Sequence, residues 1–209
     1  MVSGRRILSA PLCNTSLDLA FLLDDSSSIP DQDWTRLLSF VSSLIDTLVI
    51  GPNNVRVAVI RYSTTADVIF PLTRYYTASD MKNAINNIAF NGGSTNLADA
   101  LRIVLSDVFR VAPRPFTSRA VILITDGRSN SPEQSIIQSN FVKSGGIKVI
   151  AVGVVPSGMS VGFGELQAIA SDPNEVIILQ VQNYADLPSK TAQLENAFCL
   201  QAPVPGRLQ

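Results

Sequence analysis

Residues 17–23 (LDLAFLL) form a short, nearly continuous apolar run, and the polar sequence DDSSS follows them directly. Runs of this length and composition are typical of strands that are buried on both faces of a parallel sheet. A second run of the same kind, AVILI at residues 120–124, ends in Thr-Asp-Gly. We predict that these two runs are the central strands of an α/β domain, each with polar residues at its carboxyl end.

Helical and strand patterns alternate along the rest of the chain. Further strands are predicted at residues 55–62, 66–70, 148–154 and 176–179, and helices at 34–48, 79–87 (capped by Ser79), 97–108, 132–144, 164–170 and 185–198. This alternation predicts a doubly wound, Rossmann-like α/β fold with a six-stranded, mostly parallel sheet and helices on both faces. Residues 55–62 and 66–70 are close enough to form a hairpin, so we expect the second of them at an antiparallel edge.

The composition of the 209-residue chain excludes several classes of function. There is no histidine, which rules out Ser-His-Asp and Cys-His catalysis, histidine metal sites and imidazole pH switches. Two cysteines cannot form a four-thiolate zinc site. The net charge of −1 provides no basic excess for nucleic acid. No apolar run reaches the length of about 18 residues that a membrane span needs. We therefore expect neither nucleic-acid binding nor membrane insertion.

Cys13 and Cys199 lie just outside the first and last periodic segments. Two free thiols are one interpretation, and a disulfide that joins the ends of the domain is the other. Their placement at both edges favours the disulfide and an oxidising compartment. Asn14 begins a glycosylation sequon, which points the same way. We predict a domain at residues 13–199 with flexible flanks at 1–12 and 200–209.

Oxygen-bearing side chains cluster at the ends of the two predicted central strands. Asp24 and Asp126 each follow one of these strands, and Ser26 and Ser28 alternate with other residues after Asp24. Because an extended loop projects alternate side chains the same way, three oxygens from the first segment converge. Thr95 follows a Gly-Gly pair before a helix and adds another hydroxyl. Ligands of doubly wound sheets bind beyond the carboxyl ends of the strands.

This set of oxygens matches a hard cation such as Mg²⁺, which prefers six ligands and one or two carboxylates. Neutral hydroxyls leave the ion able to attract a carboxylate from a partner. Each segment alone also fits an ordinary helix cap or an Asp-Gly turn. Their joint placement at both strand ends favours the metal site.

Three segments resemble the metal-site segments of the von Willebrand factor type A domain, which is shared with integrin I domains. They are FLLDDSSSI (residues 21–29), GGSTNLADAL (92–101) and ILITDGRSN (122–130). VRVAVIRYS, VIAVGV and FGELQAIASDP also resemble strand and helix segments of that family. The resemblance extends over residues 17–198 in the expected order, and the motifs together are far more specific than Asp-x-Ser-x-Ser alone.

The resemblance implies a metal-ion-dependent adhesion site (MIDAS). Ser26 and Ser28 would ligate Mg²⁺ directly, and Thr95 directly or through water. Asp24 and Asp126 would act mainly through bridging waters, and an acidic side chain of the partner would complete the coordination. Mn²⁺ or Ca²⁺ are alternative ions.

Two positions depart from the family pattern. Asp25 adds a carboxylate where family members often have Gly or Ser, which could alter the cation preference. Leu97 stands where many members, integrin-like ones especially, have a second threonine, which argues against an integrin-like affinity switch.

The terminal cysteines resemble those of extracellular members such as matrilins, matrix collagens and von Willebrand factor. We therefore expect a secreted, non-enzymatic adhesion module. It would dock an acidic group of an extracellular matrix protein such as collagen, or of another glycoprotein, through the metal. An alternative is a structural matrix or mineral-associated component that assembles through metal-independent surfaces. Mg²⁺-assisted phosphoryl hydrolysis is disfavoured because the motif segments offer only Arg128 as a basic residue and no positioned general base.

Overall fold

The computed structural model describes residues 16–154, 163–171 and 182–199, and a five-stranded sheet forms its centre. Its strands run, in chain order, over Leu17–Asp24 (β1), Val55–Tyr62 (β2), Ala66–Phe70 (β3), Ser118–Thr125 (β4) and Lys148–Gly153 (β5), and their order in the sheet is β3-β2-β1-β4-β5. Strand β1 pairs in parallel with both β2 and β4, and β4 pairs in parallel with β5. Strand β3 pairs antiparallel with β2 at the edge.

The strand order confirms the predicted doubly wound α/β fold, its two central strands and its antiparallel edge. The described residues contain five strands, one fewer than predicted, and the sixth predicted strand at residues 176–179 lies outside them. The chain winds from β1 to β3 in one direction, and β4 then lies on the other side of β1. The order therefore reverses between β1 and β4, at the point where a doubly wound sheet opens a crevice for ligands.

Helices cover both faces of the sheet because successive strand residues point to opposite sides. The odd-numbered apolar residues of β1 pack with one group of helices, and its Ala20 and Leu22 pack with the other. The first group is α1 (Asp31–Ile45), α2 (Ala78–Asn86) and α6 (Thr191–Cys199); the second is α3 (Leu97–Ile103), α4 (Pro132–Ser144) and α5 (Phe163–Ile169). Within the described ranges, no helix is both long and apolar enough to cross a bilayer.

The helix boundaries differ from the predicted ones for local reasons. Ser79 is not the cap of α2, because Thr77 accepts the backbone N–H of Asp80 at 3.2 Å and ends the preceding extended segment. The helix that follows Thr95 continues beyond α3 as a π-helical turn, Val104–Phe109. The last predicted helix is a 3₁₀ segment, Tyr184–Lys190, followed by α6, since Pro188 cannot donate the hydrogen bond of a regular helix.

A buried charge cluster lies at the end of the sheet opposite the carboxyl end of β1. Asp18 is 1% exposed and accepts two hydrogen bonds of 2.7 Å from Arg56. Arg114 donates to the same carboxylate at 2.6 Å, and also to the carbonyls of Leu17 and Asn54 at 2.9 and 3.0 Å. One carboxylate thus ties the loop before β4 to the beginnings of β1 and β2.

Asp18→Asn should destabilise the fold by about 3–5 kcal/mol, because it leaves two guanidinium groups partly buried without their counter-charge. Urea denaturation measures this free energy of unfolding. Asp46→Asn is the matched control, since its ion pair with Lys82 is exposed and should contribute less than about 1 kcal/mol. Equal effects of the two substitutions would contradict the structural role of Asp18.

Candidate metal centre

Asp24, the last residue of β1, is fully buried where the crevice opens. One of its carboxylate oxygens accepts a 2.6 Å hydrogen bond from the Thr125 hydroxyl at the end of β4. The other oxygen accepts the Ser26 backbone N–H at 2.9 Å. The carboxylate therefore joins the ends of the two central strands and fixes the first turn of the loop that follows β1.

The side chains of Ser26, Ser28 and Asp126 form a connected group next to this carboxylate. The hydroxyls of Ser26 and Ser28 lie 3.0 Å apart, and the Ser28 hydroxyl donates to Asp126 Oδ1 at 2.9 Å. Ser26 is buried, Asp126 is half-buried and Ser28 is exposed. The group thus runs from the interior to the surface, and a solvent-borne ligand can reach its outer members.

Thr95 lies on a loop that is hydrogen-bonded to both of these strand-end loops. Its N–H donates to Asn130 Oδ1 at 3.1 Å, and its carbonyl accepts the Asn130 N–H at 2.9 Å. Gly93, two residues earlier, accepts the Ser27 N–H at 3.0 Å and donates its own N–H to the Ser27 hydroxyl at 2.7 Å. Within the described residues the Thr95 hydroxyl makes no hydrogen bond, so it is not part of the connected group that Ser26, Ser28 and Asp126 form.

Gly93 is needed for this loop to approach its neighbours so closely. Its φ is +122°, a conformation that side chains disfavour. A Cβ at this position would lie 2.6 Å from the Thr64 hydroxyl. The glycine before Thr95 is thus a consequence of close packing between the loops.

Asp25, the carboxylate that departs from the family pattern, makes its contacts away from Asp24 and Asp126. It is fully buried, and its Oδ2 accepts the Asn91 N–H at 3.1 Å and lies 3.4 Å from Arg61 Nε. Alternation along the loop explains this arrangement, since Asp24 and Ser26 share one side and Asp25 takes the other. Leu97 is buried in the α3 core and supplies no hydroxyl.

The two carboxylates of the site are held in an unfavourable electrostatic environment. Burial raises the pKa of Asp24 to about 6; hydrogen bonds from Thr125 and Ser26 oppose this shift, and Asp126 adds to it. Burial also raises the pKa of Asp126, against the hydrogen bond from Ser28. No salt bridge joins either carboxylate to a Lys or Arg within the described ranges. A cation would relieve this environment.

A buried cluster of hydrogen bonds supports the loop that contains Asp126, and the sequence did not indicate it. Glu165 on α5 accepts the N–H of Ser129 at 3.2 Å and a short hydrogen bond from its hydroxyl. The Ser135 hydroxyl donates to the Ser129 hydroxyl at 2.9 Å. These contacts hold the β4–α4 loop against two helices. A lone glutamate on a short helix carries no sequence signal for this role.

Tyr184 is a second residue near the site that the sequence did not indicate. Its side chain is 3% exposed, and its hydroxyl has no hydrogen-bond partner within the described part of the chain. Burial raises its pKa, and the charges of Asp126 and Asp24 raise it further. The Tyr184 hydroxyl is therefore a buried polar group without a hydrogen-bond partner in the described part of the chain, and the charges of both carboxylates oppose its ionisation.

Other predicted features fall partly outside the described residues. Cys13 and Asn14 lie there, so the disulfide and the glycosylation stay predictions; Cys199 is half-buried at the end of α6. The described residues hold no group of three or more His, Cys, Asp or Glu side chains that suits a metal ion. The predicted set differs in kind, because it has two carboxylates and three hydroxyls.

Comparisons with known proteins agree with this fold. Chicken matrilin-3 is 30% identical over 202 residues, which cover 94% of this chain and 43% of the relative. The collagen α-1(XII) chain of the newt Notophthalmus viridescens is 30% identical over 91% of this chain and 20% of its own length. The chain therefore spans less than half the length of these relatives.

A solved structure of proximal thread matrix protein 1 from the mussel byssus, described as having a zinc-occupied MIDAS motif, superposes with a TM-score of 0.80. It is 28% identical in sequence, and the match covers 90% of this chain and 46% of the other. The sequence model of the von Willebrand factor type A domain family matches residues 18–193 of this chain. This chain belongs to the von Willebrand factor type A domain family.

Proposed function

We propose that the chain is a secreted, non-enzymatic adhesion module that binds an acidic group of a matrix or cell-surface protein through Mg²⁺. The metal site consists of Asp24, Ser26, Ser28, Thr95 and Asp126. The observation that carries the proposal is the connected group of oxygens at the reversal of strand order, where two partly or fully buried carboxylates lie among hydroxyls.

The residues fit the ion in both charge and donor chemistry. Every side-chain donor in the set is an oxygen, which Mg²⁺ prefers over nitrogen or sulfur. Two carboxylates balance its charge, and the hydroxyls of Ser26, Ser28 and Thr95 add none. Mn²⁺ and Ca²⁺ accept the same kind of ligand, so they are alternative occupants.

Each residue of the site would have a distinct role. The Ser26 and Ser28 hydroxyls would contribute direct oxygen ligands, and Thr95 would contribute a third, directly or through water. Asp24 is held by Thr125 and balances charge from within, while Asp126 orients Ser28 through their hydrogen bond. When bound, the ion supplies an electrophilic position for a carboxylate of the partner.

The relatives support the choice of partner class. Matrilins, a collagen and a byssal matrix protein are similar over nearly the whole chain, and one of the solved structures bears a metal at its MIDAS. We propose an extracellular matrix protein such as collagen, or another glycoprotein, as the partner. A Cys13–Cys199 disulfide and a glycan on Asn14 belong to the same proposal of secretion.

Matrix proteins retained by the immobilised chain in Mg²⁺ should be released by EDTA. Asp126→Ala should reduce their recovery at least about ten-fold, because the substitution removes a carboxylate that holds the site together. A pull-down from an extracellular matrix extract, quantified by mass spectrometry, measures both effects.

Asp186→Ala is the control for that pull-down, since Asp186 is exposed and lies outside the site. It should behave as wild type. If the same proteins are retained in EDTA and by Asp126→Ala, the metal-dependent proposal is wrong. The alternative of a structural component that assembles through other surfaces would then account for the binding.

The metal-free chain should lose stability relative to Asp24→Asn as the pH rises from about 4 to 7. The pKa of Asp24 is about 6 in the fold against an ordinary value of 3.8, so the folded state binds more protons between these values. Stability contributed by the protonated form is therefore present below pH 3.8 and is lost as the pH rises through 6. The difference amounts to roughly 2–3 kcal/mol.

Urea denaturation in EDTA at several pH values measures this difference in free energy of unfolding. The comparison with Asp24→Asn cancels the contributions of carboxylates that do not interact with Asp24. Asp107→Asn, at an exposed position outside the site, is the control for the loss of one carboxylate. Parallel pH profiles for wild type and Asp24→Asn would show that Asp24 carries no electrostatic strain.

A further inference from the structure

Helix α4 buries Val142 and packs Ile136 against the core, but two of its large apolar residues, Ile137 and Phe141, lie on the outside. Its fully buried positions include Ser135 and Ser139, whose hydroxyls are satisfied by hydrogen bonds within or next to the helix. Ile137 and Phe141 are 44% and 56% exposed. Ser135 and Ser139 face the domain together with Val142, so Ile137 and Phe141 are left outside the buried face. An exposed aromatic and an isoleucine four residues apart form a continuous ridge on one helix face.

A groove of about 440 Å³ lies beside this ridge, between α4 and the π-helical turn that follows α3. Phe141 and Leu105 provide its apolar part, and Gln138, Ser106 and Ser144 provide polar groups. It lies toward the C-terminal ends of α3 and α4. It is thus distinct from the metal site, which lies at the N-terminal ends of the same helices.

Arg110 gives the groove one positive charge that is unpaired among the described residues. Arg102 and Arg110 line it, and its lining contains no Asp or Glu. Arg102 forms an ion pair with Asp99, in which Nη2 lies 2.7 Å from Oδ1. The Arg110 side chain has no ion pair or hydrogen bond within the described ranges, and the residue is exposed. The charge of Arg110 is therefore available to a binding partner.

We propose that this groove and the Ile137–Phe141 ridge form a second, metal-independent docking surface for a protein segment that carries apolar side chains next to carboxylates. The apolar ridge favours a peptide over a purely anionic polysaccharide, since a polysaccharide would leave Ile137 and Phe141 in water. The arginines disfavour a second copy, because a two-fold contact would place like charges against each other. Acidic flanks on a peptide complement Arg110 and Arg102.

The test uses the isotope-labelled full chain in EDTA, so that the metal site does not contribute. The probe is a synthetic helical peptide with leucines on one face and glutamates beside them, and a matched peptide has lysine in place of every glutamate. Amide chemical shifts locate binding, and titration measures its affinity. The acidic peptide should perturb α4 and residues 104–110, and the lysine peptide should bind about five-fold more weakly or not at all.

Phe141→Ser and Arg110→Glu should each weaken the acidic peptide by about five-fold or more. Both positions are exposed, and the amide spectrum verifies that each variant is folded. Phe116→Ser and Arg74→Glu are the controls for an exposed apolar and an exposed basic residue elsewhere, and both should bind as wild type does.

Equal binding of the two peptides, or unchanged binding by Phe141→Ser, would overturn the proposal. Tighter binding of a sulfated oligosaccharide than of the acidic peptide at the groove would assign it to polysaccharides instead. Self-association in the ultracentrifuge that Phe141→Ser abolishes would assign the surface to a second copy. None of these outcomes depends on metal binding, so this proposal and the proposed function can fail separately.

Discussion

The parallel pairing of β1 with β4 is the constraint on which the site depends. Their register brings Leu23 beside Ile124, so the residues that follow, Asp24 and Thr125, meet at the crevice and join by a hydrogen bond. Because the strand order reverses here, the crossover connections diverge on either side and leave an opening. The fold thus places a buried carboxylate next to hydroxyls that extend to the surface. Burial of the charged Asp24 carboxylate costs free energy, which is reflected in its raised pKa.

Polar contacts between loops and helices hold the site in place without an ion. The loop before α3 is joined to the β1 loop through Gly93 and Ser27, and to the β4 loop through Thr95 and Asn130. Glu165 braces the β4 loop from behind. Hydrogen bonds between fixed loops reduce the reorganisation that ligand binding requires. The affinity of the site should therefore reflect its charge balance more than any ordering of its loops.

Much of the fold could be predicted because strongly periodic or continuous apolar runs leave few alternatives. The central strands and their polar ends are of this kind. Alternation after Asp24 places Ser26 and Ser28 on one side of the loop, and their hydroxyls lie 3.0 Å apart. The same rule places Asp25 on the opposite side of the loop, where it contacts Asn91 and Arg61. Glu165 and Tyr184 could not be found, because each reaches the site only through tertiary packing. The ridge on α4 was also hidden, since an exposed phenylalanine looks like a core residue in sequence.

The central claim is that Ser26, Ser28, Thr95, Asp24 and Asp126 together hold one divalent cation. Anomalous diffraction from a crystal of the chain soaked in Mn²⁺ tests it most directly, because the anomalous signal locates the ion independently of its ligands. The account predicts a single strong peak beyond the ends of β1 and β4, within coordination distance of the Ser26 and Ser28 hydroxyls. A Mn²⁺ peak elsewhere, with none at this position, would contradict it.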